Sequence, residues 1–550
     1  MTIGLPPLVH LERVTSSSSS SVTLPASGTI AGHAKFPAGA RHVVVVWNAC
    51  TNAGSTEDYA LVRVNGDTGS NYDMQRTDAF GTTIAAFKET GIVGWSQIAS
   101  MGGGDSTNFK TPGWMLFPYA FNTSNFTSFT GMSGTHNARV RIGTGVWENT
   151  AALTSVNFSH GSEDFIGDFD LYVVDESYLV SGGEEILGSD TANFTNRSVP
   201  SQVGDISIIN YTRSTRGSTN DGLALDINGD TTGTNYQTHM IYSYNTTTTA
   251  FTSTSASQGN QIGGTDGATA DANHFGSSLT TVNAFDYGAN DPQVNSLSGH
   301  LSVSTADAWI GTANMRRNNV AAVTSVNVSR TVAGNGWAAG SGQWVYHAPK
   351  ALLERKELGA DTTSVTFTMS GYTIPSDAHH LRLNCYIATN DGSNQGVNLT
   401  LNSDTTAANY NLQYHYWDGT SGSAATSGAN QNIQLLPSEA STANAFGGGV
   451  IFFPNYAATD REQSYLSFAS TGPQNATMLM SGRWENTAAI ATITLQPGSS
   501  GFCDGSIFEL EAIGTPITGW SGTVNTIANP QAINTIDKAN IEKVNTIASA

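Results

Sequence analysis

Three blocks of sequence recur in the same order at intervals of about 170 residues, and this repeat restricts the fold more than any other feature. The first block is a strand, a turn and a strand ending in Asn-Tyr; the second is a turn and an alternating strand; the third is a strand after a glycine. The first starts at Leu61, Leu223 and Val397, the second contains Trp147, Arg317 and Trp484, and the third follows Gly167, Gly342 and Gly505. The interval is too long for a solenoid unit, so the sequence predicts one domain in three copies.

The first and third copies are the closest relatives. The segments ARHVVVVWNACT from Ala40 and AHHLRLNCYIAT from Ala378 align without a gap. The second copy keeps only an outline of this segment, from Gly204 onward. We therefore expect the second copy to differ most from the other two.

Composition and patterning indicate strands. Only 12% of residues are charged, and Gly, Ser, Thr and Asn are abundant, so strong helix formers are scarce. Hydrophobic residues make up 39% and form short alternating runs between turn residues, which indicates two packed sheets or a barrel. We predict an all-β chain of three tandem antiparallel β-sandwich (jelly-roll-like) domains and a short C-terminal docking tail.

The Asn residues of the first block, Asn65, Asn228 and Asn402, stand where a hairpin turn needs positive φ. Oxygen atoms of Asn65 and Asp67 also suit calcium, but the ordered carboxylate series of an EF-hand is missing. The pattern therefore favours a turn, and we predict no metal or other cofactor.

The anchors set the predicted domain limits. We expect an N-terminal arm (1–22), three sandwiches (23–180, 181–352 and 353–513) and a repetitive anchoring tail (514–550). Short charged segments near 181–189 and 347–359 read as linkers.

The tail repeats V/I-N-T-I but has no core of its own, so another surface must bury its apolar residues, or it is a disordered extension. The first alternative makes it a docking element, with contacts from Val524, Ile527, Ile533, Ile536, Ile541, Val544 and Ile547.

Charge and cysteine content exclude several classes of partner. A net charge of -20 disfavours nucleic acid and anionic membranes, and no segment suits membrane insertion. Cys50, Cys385 and Cys503 lack the spacing of a disulfide framework or a zinc site, so we expect buried thiols. The N-terminus does not resemble a secretory leader, so we expect assembly in a cytoplasm.

Acidic pairs are the main argument for an enzyme, since glycoside hydrolysis needs two carboxylates. The pairs Glu163 and Asp164, Asp168 and Asp170, and Glu509 and Glu511 lie in or beside the closing strand, and the second copy has no equivalent acids. We attribute them to surface solvation, predict no catalytic residue, and expect the protein not to be an enzyme.

Tryptophans are the main argument for a binding surface. The second copy has Arg317 where the others have Trp147 and Trp484, so we expect that position to be partly exposed, with contact to a glycan, a subunit or the underlying turn. Trp417 belongs to the densest aromatic cluster and is a further candidate for glycan or subunit contact.

With these residues in view, the chain resembles virion surface proteins of tailed bacteriophages, of the marine phage group. The resemblance rests on SSSSSSVTL from Ser16, NGDTGSNY from Asn65, GSIFELEAIG from Gly505 and the tail repeats. It implies a non-enzymatic structural protein, either a capsid decoration, a head fibre or a tail appendage, assembled in the host cytoplasm and exposed on the virion. Other virion proteins (capsid or tail subunits) and further copies in a homo-oligomer would be its partners. The alternatives are an adhesin that binds host-surface glycans and a depolymerase.

Overall fold

The computed structural model describes part of the chain. It covers residues 6–513 except 55–56, 104–108, 136–138, 200–204, 254–258, 271–272, 284–291, 302–307, 320, 333–334, 348–351, 377, 391–394, 418–421, 429–430, 437–445, 471–476 and 500. The predicted docking residues from Val524 to Ile547 lie outside the described residues.

The described residues form 36 strands, twelve in each repeat, which confirms the all-β prediction. The first repeat contains β1 (Leu8–Ser19), β2 (Ser21–Leu24), β3 (Val43–Thr51), β4 (Glu57–Val64), β5 (Tyr72–Phe80), β6 (Thr83–Ile92), β7 (Trp95–Gly102), β8 (Thr111–Phe117), β9 (Thr127–Thr135), β10 (Arg139–Trp147), β11 (Val156–Ser159) and β12 (Phe165–Val174). The second contains β13 (Leu179–Ile186), β14 (Arg197–Ser198), β15 (Ile206–Thr212), β16 (Asn220–Ile227), β17 (Tyr236–Tyr244), β18 (Thr247–Ser253), β19 (Gln261–Asp266), β20 (Gly276–Asn283), β21 (Gln293–Leu301), β22 (Ala308–Arg317), β23 (Ser325–Arg330) and β24 (Gly342–His347). The third contains β25 (Leu352–Glu357), β26 (Val365–Thr368), β27 (His380–Ile387), β28 (Gln395–Leu401), β29 (Tyr410–Trp417), β30 (Gly422–Gly428), β31 (Asn432–Leu436), β32 (Gly447–Phe453), β33 (Gln463–Ser470), β34 (Thr477–Trp484), β35 (Thr492–Pro497) and β36 (Ile507–Ile513).

Helical structure is confined to short 3-10 turns at Ile30–Gly32, Glu176–Tyr178, Gly233–Asn235, Met369–Gly371 and Ala407–Asn409 among the described residues. Within the same part of the chain, no helix has the length and apolar character needed to cross a membrane.

Each repeat is a sandwich of a large and a small sheet with the same strand order. In the third repeat the large sheet runs β25-β36-β27-β32-β33-β34-β29-β30 and the small sheet β26-β35-β28-β31. The second repeat follows this order from β13 to β24, and so does the first, where a parallel bridge between Cys50 and Gly102 joins the two sheets. Most successive strands cross between the sheets as in a jelly roll, whereas β29–β30 and the meander β32–β33–β34 of the third repeat stay within the large sheet.

The first strand of each repeat corrects the predicted arm and linkers. Leu8–Ser19 forms β1 and pairs with β12, although it was placed in an arm outside the first repeat. The segments interpreted as linkers contribute β13 and β25, which pair with β24 and β36 in the same way. Their charged or Ser-rich sequences lack an apolar run because these strands lie at the edge of the large sheet, where one side needs no partner strand.

The predicted Asn turns are present in all three repeats. Asn65 and Gly66 have φ values of 54° and 66°, and Asn228 and Asn402 have φ values of 57° and 52°. The Asn65 side chain accepts hydrogen bonds from the backbone N–H groups of Thr154 and Ser155 and donates one to the Ala152 carbonyl. Each turn is therefore connected to the loop before the small-sheet strand beside it.

The three large sheets turn one face towards one another. Their side chains form a single apolar core that includes Val44, Val46, Trp114 and Met132 of the first repeat, Ile209, Tyr211, Leu297 and Trp344 of the second, and Val450, Phe452, Leu466 and Phe468 of the third. The other face of each large sheet packs on its own small sheet in a separate core. Three sandwiches therefore surround one shared centre.

The contacts between repeats follow a cyclic order. His42, Asp205 and His380 occupy equivalent positions in the three repeats. They come directly before Val43, Ile206 and Leu381, respectively, which pair with the last strand of each repeat. His42 of the first repeat packs on Trp344 of the second, with ring centroids 4.6 Å apart. Asp205 of the second lies within 4.8 Å of Glu509 and Glu511 of the third. His380 of the third lies 3.3 Å from Asp170 of the first. One chain therefore forms a closed ring with approximate threefold symmetry, the arrangement that a cyclic trimer has between separate chains.

Candidate functional site

The predicted tryptophan surface is not exposed. Trp147 and Trp484 are each 1% exposed and belong to the cores of their sandwiches. Their indole Nε1 atoms donate hydrogen bonds of 2.8 Å to Asp67 and Asp404 in the Asn turns. The expectation of partial exposure was wrong, and neither ring offers a face to a sugar.

The structure explains how arginine can replace these tryptophans. Arg317 is 4% exposed, and its Nε lies 3.6 Å from the Asp230 carboxylate. Asp230 occupies the turn position of Asp67 and Asp404, so the buried side chain faces a carboxylate in each repeat. The indoles donate hydrogen bonds to it, whereas the guanidinium forms an ion pair with it, and exposure is not needed to explain the substitution.

Trp417 lies at the end of β29 and is half-buried. Tyr414 and Tyr416 pack against the core of the third sandwich, whereas His415, on the other face of the strand, is also buried. The alternation predicted for this cluster is present, but both faces of the strand are largely covered.

The acidic pairs at the closing strands lie at the seams between repeats. Asp170 is 1% exposed and accepts hydrogen bonds from Arg13 and His10. Its pKa lies well below the ordinary value: burial alone would raise it, but the hydrogen bonds from His10, His380 and Arg13 outweigh burial. Asp168 pairs with Arg461 of the third repeat at 2.7 Å. Surface solvation is therefore wrong for Asp168 and Asp170, as it is for the buried Glu509 and Glu511.

Cys50, Cys385 and Cys503 are buried thiols that form no disulfide with one another, as predicted. Burial raises the pKa of the Cys50 thiol to about 11 and raises that of Cys385 further. These thiols suit a packing role rather than nucleophilic catalysis.

A cleft of about 510 Å³ opens between the two sheets of the second repeat. One wall comes from the small-sheet strands β16 and β19 and the other from the large-sheet strands β17, β18, β21 and β22. The lining residues are Asn220, Asp221, Gly222, Met240, Tyr242, Tyr244, Thr247, Thr249, Gln261, Gly263, Gly264, His300 and Trp309. This volume is in the range of sites for small organic ligands.

Aromatic rings form the large-sheet wall of the cleft. Tyr242 stacks on Trp309 with ring centroids 5.8 Å apart, and the His300 ring lies nearly parallel to Trp309, with ring centroids 6.4 Å apart. Tyr244 is 40% exposed. Tyr242 and Tyr244 alternate along β17 with residues of the opposite face, so both project into the cleft.

Polar groups form the small-sheet wall. Asp221 is 2% exposed and accepts hydrogen bonds from the Ser214 hydroxyl at 2.7 Å and the Gly222 N–H at 2.9 Å. Burial raises the pKa of Asp221, although these hydrogen bonds and Arg216 oppose the increase. Gln261 adds an amide to this wall, and Thr247 and Thr249 of β18 add hydroxyl groups beside the rings, so both walls offer hydrogen-bond donors or acceptors.

Glycine residues around the cleft leave space that a side chain would fill. A Cβ atom at Gly264 would lie 3.2 Å from the Trp309 ring, and one at Gly263 would overlap Ser298. Gly311, beside Tyr242, would place its Cβ 2.7 Å from the Cβ of that tyrosine. Glycine at these positions leaves room for the aromatic wall and the space in front of it.

The same location is filled in the first repeat. Tyr72 pairs with Trp147 across β5 and β10, as Tyr236 pairs with Arg317 across β17 and β22. Counted along the strands from these pairs, the equivalent positions in the first and second repeats are Arg76 and Met240, Asp78 and Tyr242, Arg139 and Trp309, and Arg141 and Gly311. The four residues of the first repeat form a buried ion network: Asp78 accepts hydrogen bonds from Arg139 at 2.7 Å and Arg141 at 3.0 Å, and Arg76 lies 3.5 Å away.

In the third repeat, Tyr414 and Tyr416 occupy the positions of Met240 and Tyr242, and both pack into the core. Met478, 8% exposed, stands where the second repeat has Gly311. The most divergent copy is therefore the one with the open aromatic cleft.

Sequence reasoning missed this site because its residues come from six strands and form no motif. The available signal was a comparison between copies, in which paired charges at Arg76, Asp78 and Arg139 change to Met240, Tyr242 and Trp309. That change marks a location whose side chains no longer serve the same packing role.

Fold and site together define a class of protein, a single-chain ring of three jelly rolls with a cleft in one of them. No protein-family model matches the chain, and no curated protein matches it. Among solved structures, an exo-inulinase from Aspergillus awamori is 8% identical over 84% of this chain and 85% of that chain, with a TM-score of 0.20. The Pseudomonas aeruginosa protein OccK7 (OpdD) is 10% identical over 83% of this chain and 100% of that chain, with a TM-score of 0.10. Similarities at these scores support no conclusion about fold or function.

Proposed function

We propose that the protein is a non-enzymatic surface protein that binds a glycan in the cleft of its second repeat. The observation that carries the proposal is the aromatic and polar cleft of about 510 Å³, at a location that charged or apolar side chains fill in the other two repeats.

The chemistry of the two walls supports a sugar. The apolar C–H face of a pyranose stacks on an aromatic ring, and Tyr242 and Tyr244 present rings to the cleft. The hydroxyl groups at the edge of a sugar need donors and acceptors, and Thr247, Thr249 and Gln261 lie within reach of the same space. The volume is large enough for one or two sugar rings.

Binding rather than hydrolysis is favoured by the carboxylates. Asp221 is the single carboxylate among the described residues that line the cleft, whereas glycoside hydrolysis uses two. Both oxygens of Asp221 already accept hydrogen bonds within the protein. A depolymerase is therefore the less favoured use of this cleft.

A glycan array with the full chain tests the proposal. We expect wild-type protein to bind a defined group of glycans. Tyr244→Ala should weaken that binding about 5- to 10-fold, because it removes one stacking ring. Thr249→Trp should abolish it by filling the cleft.

Phe80→Ala is the matched control, because Phe80 occupies the position of Tyr244 in the first repeat and is 50% exposed. Its binding should equal that of wild type. No binding by the wild-type chain, or full binding by Thr249→Trp, would rule out the cleft as a glycan site.

The closed ring favours a second, compatible role as a structural component of a tailed-phage virion. The chain forms a threefold arrangement without further copies, which suits a unit that displays a site on a particle while its C-terminal tail docks on capsid or tail subunits. The phage setting rests on the motif resemblance described above.

Electron microscopy and mass spectrometry of purified particles, with and without the gene for this chain, test this role. We expect the protein in wild-type virions and a missing surface feature on the mutant particles. Identical particles, with the protein absent from wild-type virions, would contradict the role while leaving glycan binding open.

A further inference from the structure

Three metal-ligating side chains meet at the seam between the first and second repeats. Asp73 comes from β5 and Glu148 follows β10, both in the first repeat, while His274 precedes β20 in the second. One ligand atom from each lies within 4.8 Å of the other two. Asp73 is 1% exposed and His274 is fully buried, while the Glu148 side chain is 33% exposed, so the cluster has one side towards solvent.

The facing atoms are carboxylate oxygens and an imidazole nitrogen. Asp73 Oδ1 accepts the Gly91 N–H at 2.8 Å, but the buried Oδ2 has no hydrogen-bond donor. His274 Nδ1 lies 2.7 Å from the Leu301 carbonyl, which can only accept, so Nδ1 carries the ring proton. Nε2 lies 3.2 Å from Glu148 Oε1, where a neutral ring presents an acceptor and a protonated ring a donor. Two carboxylates and an imidazole that face one another are stabilised by positive charge between them, which protons or a metal ion can supply.

The equivalent seam between the third and first repeats supplies its own positive charge. Asn411 and Glu485 match Asp73 and Glu148, and Asn411 donates a hydrogen bond to Glu485. Arg483 also donates to Glu485, and its guanidinium lies over Phe109, 5.1 Å from the ring centroid.

Phe109 stands two residues before β8, as His274 stands two residues before β20. In the first repeat Val146 replaces Arg483, an aspartate replaces Asn411, and the facing residue is a histidine. The seam between the first and second repeats thus lacks the arginine and gains two ligands.

We propose that Asp73, Glu148 and His274 bind one divalent transition-metal ion of the zinc class across this seam. An imidazole with two carboxylates suits zinc, whereas calcium and magnesium prefer an all-oxygen set. Two carboxylates balance the charge of the ion, and the hydrogen bond from Nδ1 to Leu301 orients the imidazole as an outer-shell partner does in metal sites. Water on the Glu148 side would complete the coordination. The ion would connect the first two repeats, as Arg483 and Phe109 connect the third and the first.

Calorimetric titration of the chelator-treated full chain with zinc alone tests the site. We expect one equivalent to bind, with a rise in the thermal midpoint of unfolding. Asp73→Asn and His274→Gln should each lower the affinity about 100-fold or more, since loss of a ligand exceeds the 10- to 100-fold effect of losing an outer-shell partner. Asp73→Asn recreates the Asn and Glu pair that the third repeat already contains, so it should fold normally.

Glu485→Gln is the matched control at the other seam and should keep the zinc equivalent. Absorption bands of a cobalt-substituted chain, lost in His274→Gln, would show nitrogen ligation directly. No tight equivalent in wild type, or equal zinc binding by wild type and both ligand variants, would overturn the proposal.

Discussion

Replacing Asp170 tests the seam between the third and first repeats. Asp170 is 1% exposed and accepts hydrogen bonds from Arg13 Nε and Nη2, both at 2.8 Å, and from His10 Nε2 at 2.9 Å. His380 of the third repeat approaches its second oxygen at 3.3 Å. Asp170→Ala would leave these groups at the seam without their main acceptor.

Removing one partner of a buried ion pair costs about 3–5 kcal/mol, because the remaining charge stays desolvated. Arg13 keeps a hydrogen bond of 2.6 Å to Asn455 and lies 3.8 Å from Asp168, so part of its charge remains compensated. We therefore expect the lower end of the range, about 3 kcal/mol.

Urea unfolding, followed by tryptophan fluorescence, measures how much the free energy of unfolding decreases in Asp170→Ala. Glu357→Ala is the control, since Glu357 is 45% exposed and pairs with Arg355 at the surface. Such a pair contributes less than about 1 kcal/mol. A loss below about 1 kcal/mol for Asp170→Ala would refute the assignment of the seam to this ion cluster.

The effect should depend on pH in a defined direction. The folded protein holds the pKa of Asp170 well below its ordinary value, so this carboxylate stabilises the fold above the unfolded pKa of about 4. Its contribution is lost as the pH falls from about 4 towards the folded pKa. The difference between wild type and Asp170→Ala should therefore shrink below about pH 4 in the same urea assay.

Three further predictions concern the conserved turn and the thiols. Trp484→Phe should lower the urea stability by about 1–2 kcal/mol, because it removes the indole donor of Asp404; a change within error would contradict the role of that bond. Arg317→Trp should leave the thermal midpoint unchanged or raise it, since an indole N–H can donate to Asp230 as in the other repeats; a large decrease would show that the guanidinium is required. Burial raises the pKa of Cys50 to about 11, so this thiol should react with a thiol reagent at pH 8 at least about 100-fold more slowly than a free cysteine. Rapid labelling of the native chain would show exposure.

The repeat, the strands and the turns could be predicted from sequence because each depends on local patterns. Asn65, Asn228 and Asn402 adopt the positive φ that their turn requires, and the alternating runs form strands in all three copies. Alternation and turn chemistry act over a few residues, so one sequence contains the information.

The first strands and the tryptophan position were misjudged because their environment comes from distant residues. Nothing within Leu8–Ser19 indicates that β12 will supply its hydrogen-bonding partner. The substitution of Trp147 by Arg317 suggested exposure, because the carboxylate that makes both residues acceptable lies in a turn about 80 residues away.

The cleft and the ring depend on still longer-range packing. Tyr242 and Trp309 are separated in sequence but adjacent across β17 and β22, and their role becomes visible only beside the ion network of the first repeat. The ring requires contacts such as His380 with Asp170, which join the third repeat to the first. Both features become visible when residues at equivalent strand positions of the three repeats are compared.

A crystal structure of the full chain with the strongest array glycan shows directly whether the cleft of the second repeat is the binding site. We expect one glycan per chain, in the second repeat, with a sugar ring against Tyr242 or Tyr244 and hydroxyl groups towards Thr249. A glycan bound in all three repeats, or bound elsewhere with the cleft of the second repeat free of sugar, would contradict the proposed glycan site.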